Sequence, residues 1–99
     1  MPHRIHRLDA NHKKIVSGLR KRFMSVISLA NVGDGCPDLL VGYCGRTFLF
    51  ELKSSSKFVL TPSQDKLHFV WRGSKIHIVT RLEEITEIVY KEVNHQLHN

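Results

Sequence analysis

Residues 33–53 read GDGCPDLLVGYCGRTFLFELK. Within them, 38–43 and 46–53 are apolar and strand-forming at nearly every position. Cys44-Gly45 joins the two runs as a tight turn. Strands that read this way are expected in the middle of a sheet, covered on both faces. Yet Asp38, Glu51 and Lys53 sit among them. Three charges on the most buried strands of a small chain need a physical reason.

The rest of the chain supplies the cover. A helix is expected from an N-cap at Asp9 to about Phe23. Ile15, Val16, Leu19 and Phe23 form its apolar stripe, and His12 extends the stripe by one turn. Residues 25–29 (SVISL) read as a short strand, and 31–37 as a loop with two glycines. Thr61-Pro62-Ser63-Gln64 reads as a helix start, with Thr as N-cap, Pro at the first position and Gln closing a capping box. That helix carries Leu67, Val70 and Trp71, and Gly73 is expected to end it. Residues 75–79 read as a strand. Thr80-Arg81-Leu82-Glu83 reads as a second capping box, opening a last helix with Leu82, Ile85, Val89 and Val93 on one side. The order is α-β-β-β-α-β-α, an α/β fold with helices on a sheet. A length of 99 residues suits one domain, spanning 1–99.

The strand register brings the charges together. With a two-residue loop at Cys44-Gly45, Tyr43 faces Arg46, and counting back along both strands sets Asp38 across from Glu51. A four-residue loop keeps this register and a three-residue loop breaks it. Side chains alternate along a strand, so Glu51 and Lys53 share a face, and directly opposite Cβ atoms lie roughly 5 Å apart. The other face is wholly apolar: Leu39, Val41, Phe48, Phe50 and Leu52. Two carboxylates this close repel, and one pKa rises unless a cation sits between them. A divalent metal removes that cost, and Mg²⁺ suits hard oxygen ligands with few protein contacts. A lysine beside it can orient or deprotonate a water, or stabilise a charged transition state. Such a group can hydrolyse a phosphodiester. The blander alternatives are that Asp38 caps the end of the loop after Pro37, and that Glu51 and Lys53 are an exposed pair at a strand end.

Charge bears on the partner. Fifteen Lys and Arg stand against nine Asp and Glu, a net charge of +6. Arg4, Arg7, Lys13, Lys14, Arg20, Lys21 and Arg22 crowd the first helix and the segment before it, opposed there by Asp9 alone. A basic patch is the footprint of a polyanion, most often nucleic acid, or else a solvated helix face. No run of about 18 apolar residues exists, so no membrane span is expected. MPHRIHRLDANHKK lacks the apolar stretch of a signal peptide, and an intracellular protein is expected. Cys36 and Cys44 fit that compartment as thiols and lack the paired spacing of a zinc site.

Pro37-Asp38, then twelve residues, then Glu51-Leu52-Lys53 resembles the PD-(D/E)XK nuclease superfamily. More closely, DANHKKIVSGLRKR, GDGCPDLLVGYCGRTFLFELK and LTPSQDKLHFVWRG look like the small stand-alone VRR-NUC domains of phages and prophages, over about residues 8–90. The resemblance implies a restriction-endonuclease-like mixed sheet flanked by helices. It implies cleavage of DNA that depends on Mg²⁺, with Mn²⁺ able to substitute. By the same resemblance Asp38, Glu51 and the backbone carbonyl of Leu52 bind the metal, and Lys53 is the catalytic lysine. Gln64 matches the family's glutamine on the following helix, beside its capping role. Where the family carries an acidic or amide residue, this chain has His12. Metal neighbour, phosphate contact and simple packing are all open to it.

Stand-alone members look like homodimeric Holliday junction resolvases. Symmetric cleavage of a four-way junction needs two sites related by a two-fold axis. A homodimer on branched DNA, in the cytoplasm of a bacterial or phage-infected cell, is therefore implied. The alternatives are flap or duplex nicking at the same site, and a non-catalytic DNA-binding module. Lys13, Lys14, Arg20 and Lys21 lie off the apolar stripe and are candidate phosphate contacts, as are Arg46 at the turn and Lys57 in the loop before the second helix. Ser54-Ser55-Ser56 reads first as a flexible loop, and second as a donor to a DNA backbone. Phe58, Val59 and Leu60, and the SVISL strand, are candidate dimer surfaces equally explained as core. No element reads as a base-reading helix, so shape is the expected specificity.

Overall fold

The computed structural model describes residues 10–55 and 59–97. Asp9, Lys57 and Phe58 lie outside them, as do Arg4, Arg7 and Ser56. The elements follow the expected order: α1 (Ala10–Lys21), β1 (Ser25–Ser28), β2 (Leu39–Tyr43), β3 (Arg46–Leu52), α2 (Pro62–Val70), β4 (Ile76–Val79) and α3 (Leu82–Leu97). One mixed sheet has the order β1-β2-β3-β4, antiparallel except between β3 and β4. The parallel pair needs a crossover, which α2 supplies. The hairpin closes at Cys44-Gly45 with φ of 50° and 78°, the doubly positive turn whose twist matches its strands. Tyr43 pairs with Arg46, and the ladder runs in register to Leu39 and Phe50.

Alternation places Leu39, Val41, Phe48 and Phe50 on one face. Ile15, Val16 and Leu19 of α1 and Ile85, Val89 and Val93 of α3 complete a single cluster there. Each such side chain contributes roughly 1.5–3 kcal/mol on full burial. This face therefore holds β2 and β3 rigid up to their ends. Among the described residues no helix is long and apolar enough to cross a membrane.

The second face departs from the expected double cover. Ile27, Leu40, Leu49 and Ile76 lie in one cross-strand row on it. Ile27 is 58% exposed, Leu40 and Leu49 are half-buried, and only Ile76 is buried. The cover thus fades toward the β1 edge. Apolar continuity along a strand reports its own burial poorly when no helix is long enough to span that face.

Three local expectations also shift. α1 ends at Lys21, and Phe23 is 90% exposed with φ 66°. Met24 N–H donates to Leu19 C=O (3.2 Å) and Phe23 N–H to Arg20 C=O (3.0 Å), the paired bonds of a Schellman stop. Met24 enters the core in place of Phe23. α2 stops at Val70 with Trp71 extended, before Gly73. The Trp71 ring covers Gly73, where a Cβ would come within 2.7 Å of it. Val70 and Trp71 are exposed, and no residue of α2 is buried. At α3 the capping carboxylate is Glu84 rather than Glu83. Its Oε1 accepts from Thr80 N–H and Oγ1–H (both 2.8 Å) and from Arg81 N–H (3.1 Å). The Thr80 backbone bond leads in holding the Glu84 carboxyl below its usual range. The box is shifted by one residue because the helix begins at Leu82.

Candidate active site

The β2 start and the β3 end lie together at one end of the sheet. Past Leu39 the ladder changes: Asp38 N–H donates to Phe50 C=O (3.0 Å), and Asp38 C=O accepts from Leu29 N–H (2.7 Å). The Asp38 carboxylate accepts from Leu52 N–H at 2.7 Å. The Asp38 side chain thus holds the backbone at the end of β3, not the loop after Pro37 as the blander reading had it, and it also stands beside Glu51.

Glu51 is 2% exposed on the second face of the sheet. Its Oε2 accepts from Gln64 Nε2 at 3.0 Å and lies 4.0 Å from Lys53 Nζ. When Glu51 is ionised its Oε1 is buried with no hydrogen-bond partner. Burial first, then the hydrogen bond and charge of Asp38, push the Glu51 carboxyl up to about 8 against the opposing pull of Lys53. An ionised Asp38 offers acceptors and no donor. Glu51 therefore bonds to it only while holding a proton. The exposed-pair alternative fails for Glu51, and Lys53 is itself half-buried.

Gln64 ties these groups to α2. Its Oε1 accepts from Lys53 Nζ (2.7 Å) and from Thr61 N–H (2.9 Å), while its own N–H donates to Thr61 Oγ1 (3.2 Å). One side chain closes the capping box and bridges Lys53 to Glu51. Gly35 sets the approach of the loop. With φ 79°, a Cβ there would lie 2.3 Å from Ser63 C=O. Only glycine lets the loop press against the start of α2.

Asp38, Leu52, Lys53 and Gln64 line one cavity of about 390 Å³. His12 also reaches it. It is 7% exposed, and its Nε2 lies 3.3 Å from Ser28 Oγ. Asn11, Cys36 and Ser63 line the cavity too, and the sequence reading gave them no role. The signal was available for Cys36, two residues before Asp38. Burial, then Glu51 and Asp38, push its thiol pKa up, so it favours the neutral form. Both cysteines are free.

Among the described residues, no three of His, Cys, Asp and Glu converge as a metal-ligand group. His12 therefore shares the cavity without joining Asp38 and Glu51 in such a set. The chemistry present is two hard carboxylates, one with a strongly raised pKa and a buried oxygen that has no donor once the group is ionised. That donor set fits Mg²⁺, which takes one or two carboxylates and keeps several waters.

The candidate DNA contacts disperse. Lys13, Arg20 and Lys21 line a groove between α1 and β1. Lys14 lies on another side of α1, in a groove with Arg81. Arg46 sits at the far end of β3 from Glu51, ~17 Å away at strand spacing. There it pairs with Glu92 (3.6 Å) and lies 6.0 Å from the Phe48 ring centre. Lys57 falls outside the described residues. No protein-family model, no curated protein and no solved structure matches the chain.

Proposed function

We propose that the protein is a Mg²⁺-dependent endonuclease that hydrolyses DNA phosphodiesters, acting as a homodimeric Holliday junction resolvase in the cytoplasm of a bacterial or phage-infected cell. One observation carries the reading. A buried carboxylate, whose Oε1 has no donor once the group is ionised, shares its other oxygen with a glutamine that also holds a lysine. A structural ion pair has no use for that unpaired oxygen, whereas a dication site does.

Asp38 and Glu51 would hold the metal, with the Leu52 carbonyl beside them. A bound dication supplies Lewis-acid polarisation of the phosphate and acidifies water. Lys53 carries three N–H donors. Its bond to Gln64 fixes the ammonium and leaves donors for a phosphate oxygen that gains charge in the transition state. The open row from Ile27 to Leu49 supports a surface for a second copy, which the symmetry of a four-way junction requires.

The test is cleavage of an end-labelled four-way junction beside a matched linear duplex in Mg²⁺, with wild type and Asp38→Asn. Paired symmetric cuts in the junction alone, lost in the variant, are expected. Cuts in both substrates would instead assign flap or duplex nicking. No cuts in either, with Mn²⁺ also tried, would leave a DNA-binding module.

A further inference from the structure

The cavity around Asp38 does not end at His12. His12 lines that cavity and also the neighbouring groove of about 530 Å³ between α1 and the edge strand β1. The groove presents Lys13, Arg20 and Lys21, with hydroxyls from Ser17 and Ser28. Among the described residues no acidic side chain lines it. Arg20 is fixed there, because its Nη2 donates to the Val26 carbonyl at 3.0 Å. Val26 belongs to the outer strand, so one guanidinium nitrogen seals an edge carbonyl and holds the side chain along the groove. Ser28 Oγ meets His12 Nε2 at 3.3 Å where groove and cavity join.

We propose that this groove is a second phosphate-binding subsite, seating the backbone of the cleaved strand on one side only of the scissile phosphate. The inference rests on the nuclease reading for its orientation. The residues from His12 to Lys21 span ~13 Å of helix at 1.5 Å per residue. Measured along a duplex axis, that length matches the rise of about four phosphates of one strand at 3.4 Å each. Lys14 is excluded from the track although it is next to Lys13 in sequence, because it faces the Arg81 side. Arg46 is excluded because it lies at the opposite end of β3, against Glu92.

Two double variants of equal charge loss separate the groove from general attraction to DNA: Lys13→Ala/Lys21→Ala and Lys14→Ala/Arg81→Ala. Affinity of the full chain for a junction and a duplex is measured with chelator present, across a salt series, and cleavage is measured separately in Mg²⁺. The groove pair should weaken binding about 60-fold at 0.1 M salt and lower the salt slope by about 1.8, from two lost phosphate contacts. The other pair should weaken it less than about threefold, since charges off the track are screened. Single methylphosphonates in the cleaved strand should interfere with binding within about four phosphates on one side of the cut. Equal losses from the two pairs, no DNA binding at all, or interference balanced on both sides would overturn the groove. The first and third outcomes leave cleavage, and with it the nuclease reading, intact. Conversely, absent cleavage with selective loss in the groove pair would sink the nuclease reading and keep the groove as a binding site.

Discussion

Glu51→Gln is the most informative substitution for the site. Glutamine keeps the shape and still offers an oxygen to Gln64 Nε2. Its amide also supplies the donor that an ionised Asp38 lacks, and it cannot ionise. In the metal-free wild type the carboxyl moves from an ordinary 4.5 to about 8 on folding. The folded state therefore binds more protons between those values, and stability falls as pH rises through that window. At pH 7 the cost is about 3 kcal/mol, and above pH 8 it levels at about 5 kcal/mol, from 1.36 kcal/mol per pKa unit.

The variant should thus equal wild type near pH 4.5 and exceed it by about 3 kcal/mol at pH 7 with chelator present. Urea unfolding followed by far-UV circular dichroism measures this as a raised midpoint at constant slope. Mg²⁺ should stabilise wild type and leave the variant unmoved, closing the gap. A variant less stable than wild type at pH 7 would refute the reasoning, as would a difference independent of pH. Either result would mean that Glu51 is ionised in the fold and satisfied by Lys53.

Lys53→Ala should keep the circular dichroism spectrum and lose DNA cleavage; unfolding instead would assign the lysine a structural role. Asp38→Asn should weaken Mg²⁺ affinity by calorimetry, and an unchanged affinity would remove Asp38 from the ligand set. Phe23→Gly should raise stability by about 1 kcal/mol in denaturant, because it relieves a left-handed conformation that costs a bulky residue. Glu84→Ala should cost about 1 kcal/mol at pH 7. Because the folded Glu84 carboxyl is held low, its contribution is present above pH 4.5 and fades as pH falls through the folded value.

The hairpin and its charges were legible because two rules compound. A doubly positive turn at Cys44-Gly45 fixes the register, and strand alternation then fixes every face. Gln64 was legible as a cap, since Thr-Pro-x-Gln is a local signal, and its site contacts follow from where α2 begins. Less was legible where tertiary contacts decide. Phe23 fits the helical stripe by spacing, but the Schellman stop hands the core position to Met24. Glu83 and Glu84 differ by one residue, and only the observed helix start selects Glu84. Gly73 reads as a helix stop from composition alone, whereas the chain turns extended at Trp71. The division of the α1 cations between two grooves depends on where β1 and α3 pack, which no local pattern carries.

The weak packing of α2 has a consequence for the site. The helix buries no residue completely, so apolar area contributes little to holding it. Its polar contacts run through Gln64 to Lys53 and Glu51, and its start is pressed by the loop at Gly35. The same side chain thus holds the helix and orients Lys53 and Glu51. Protonation of Glu51 leaves the Gln64 Nε2 contact intact but weakens it, because a charged acceptor makes the stronger bond. A dication held by Asp38 and Glu51 would keep Glu51 ionised and tighten the contact. Docking of α2 and occupancy of the site are then coupled through one glutamine, and hydrogen exchange of the α2 amides should slow when Mg²⁺ is added. Exchange unchanged by Mg²⁺, in a protein that binds it, would break that coupling and return Gln64 to the role of a cap.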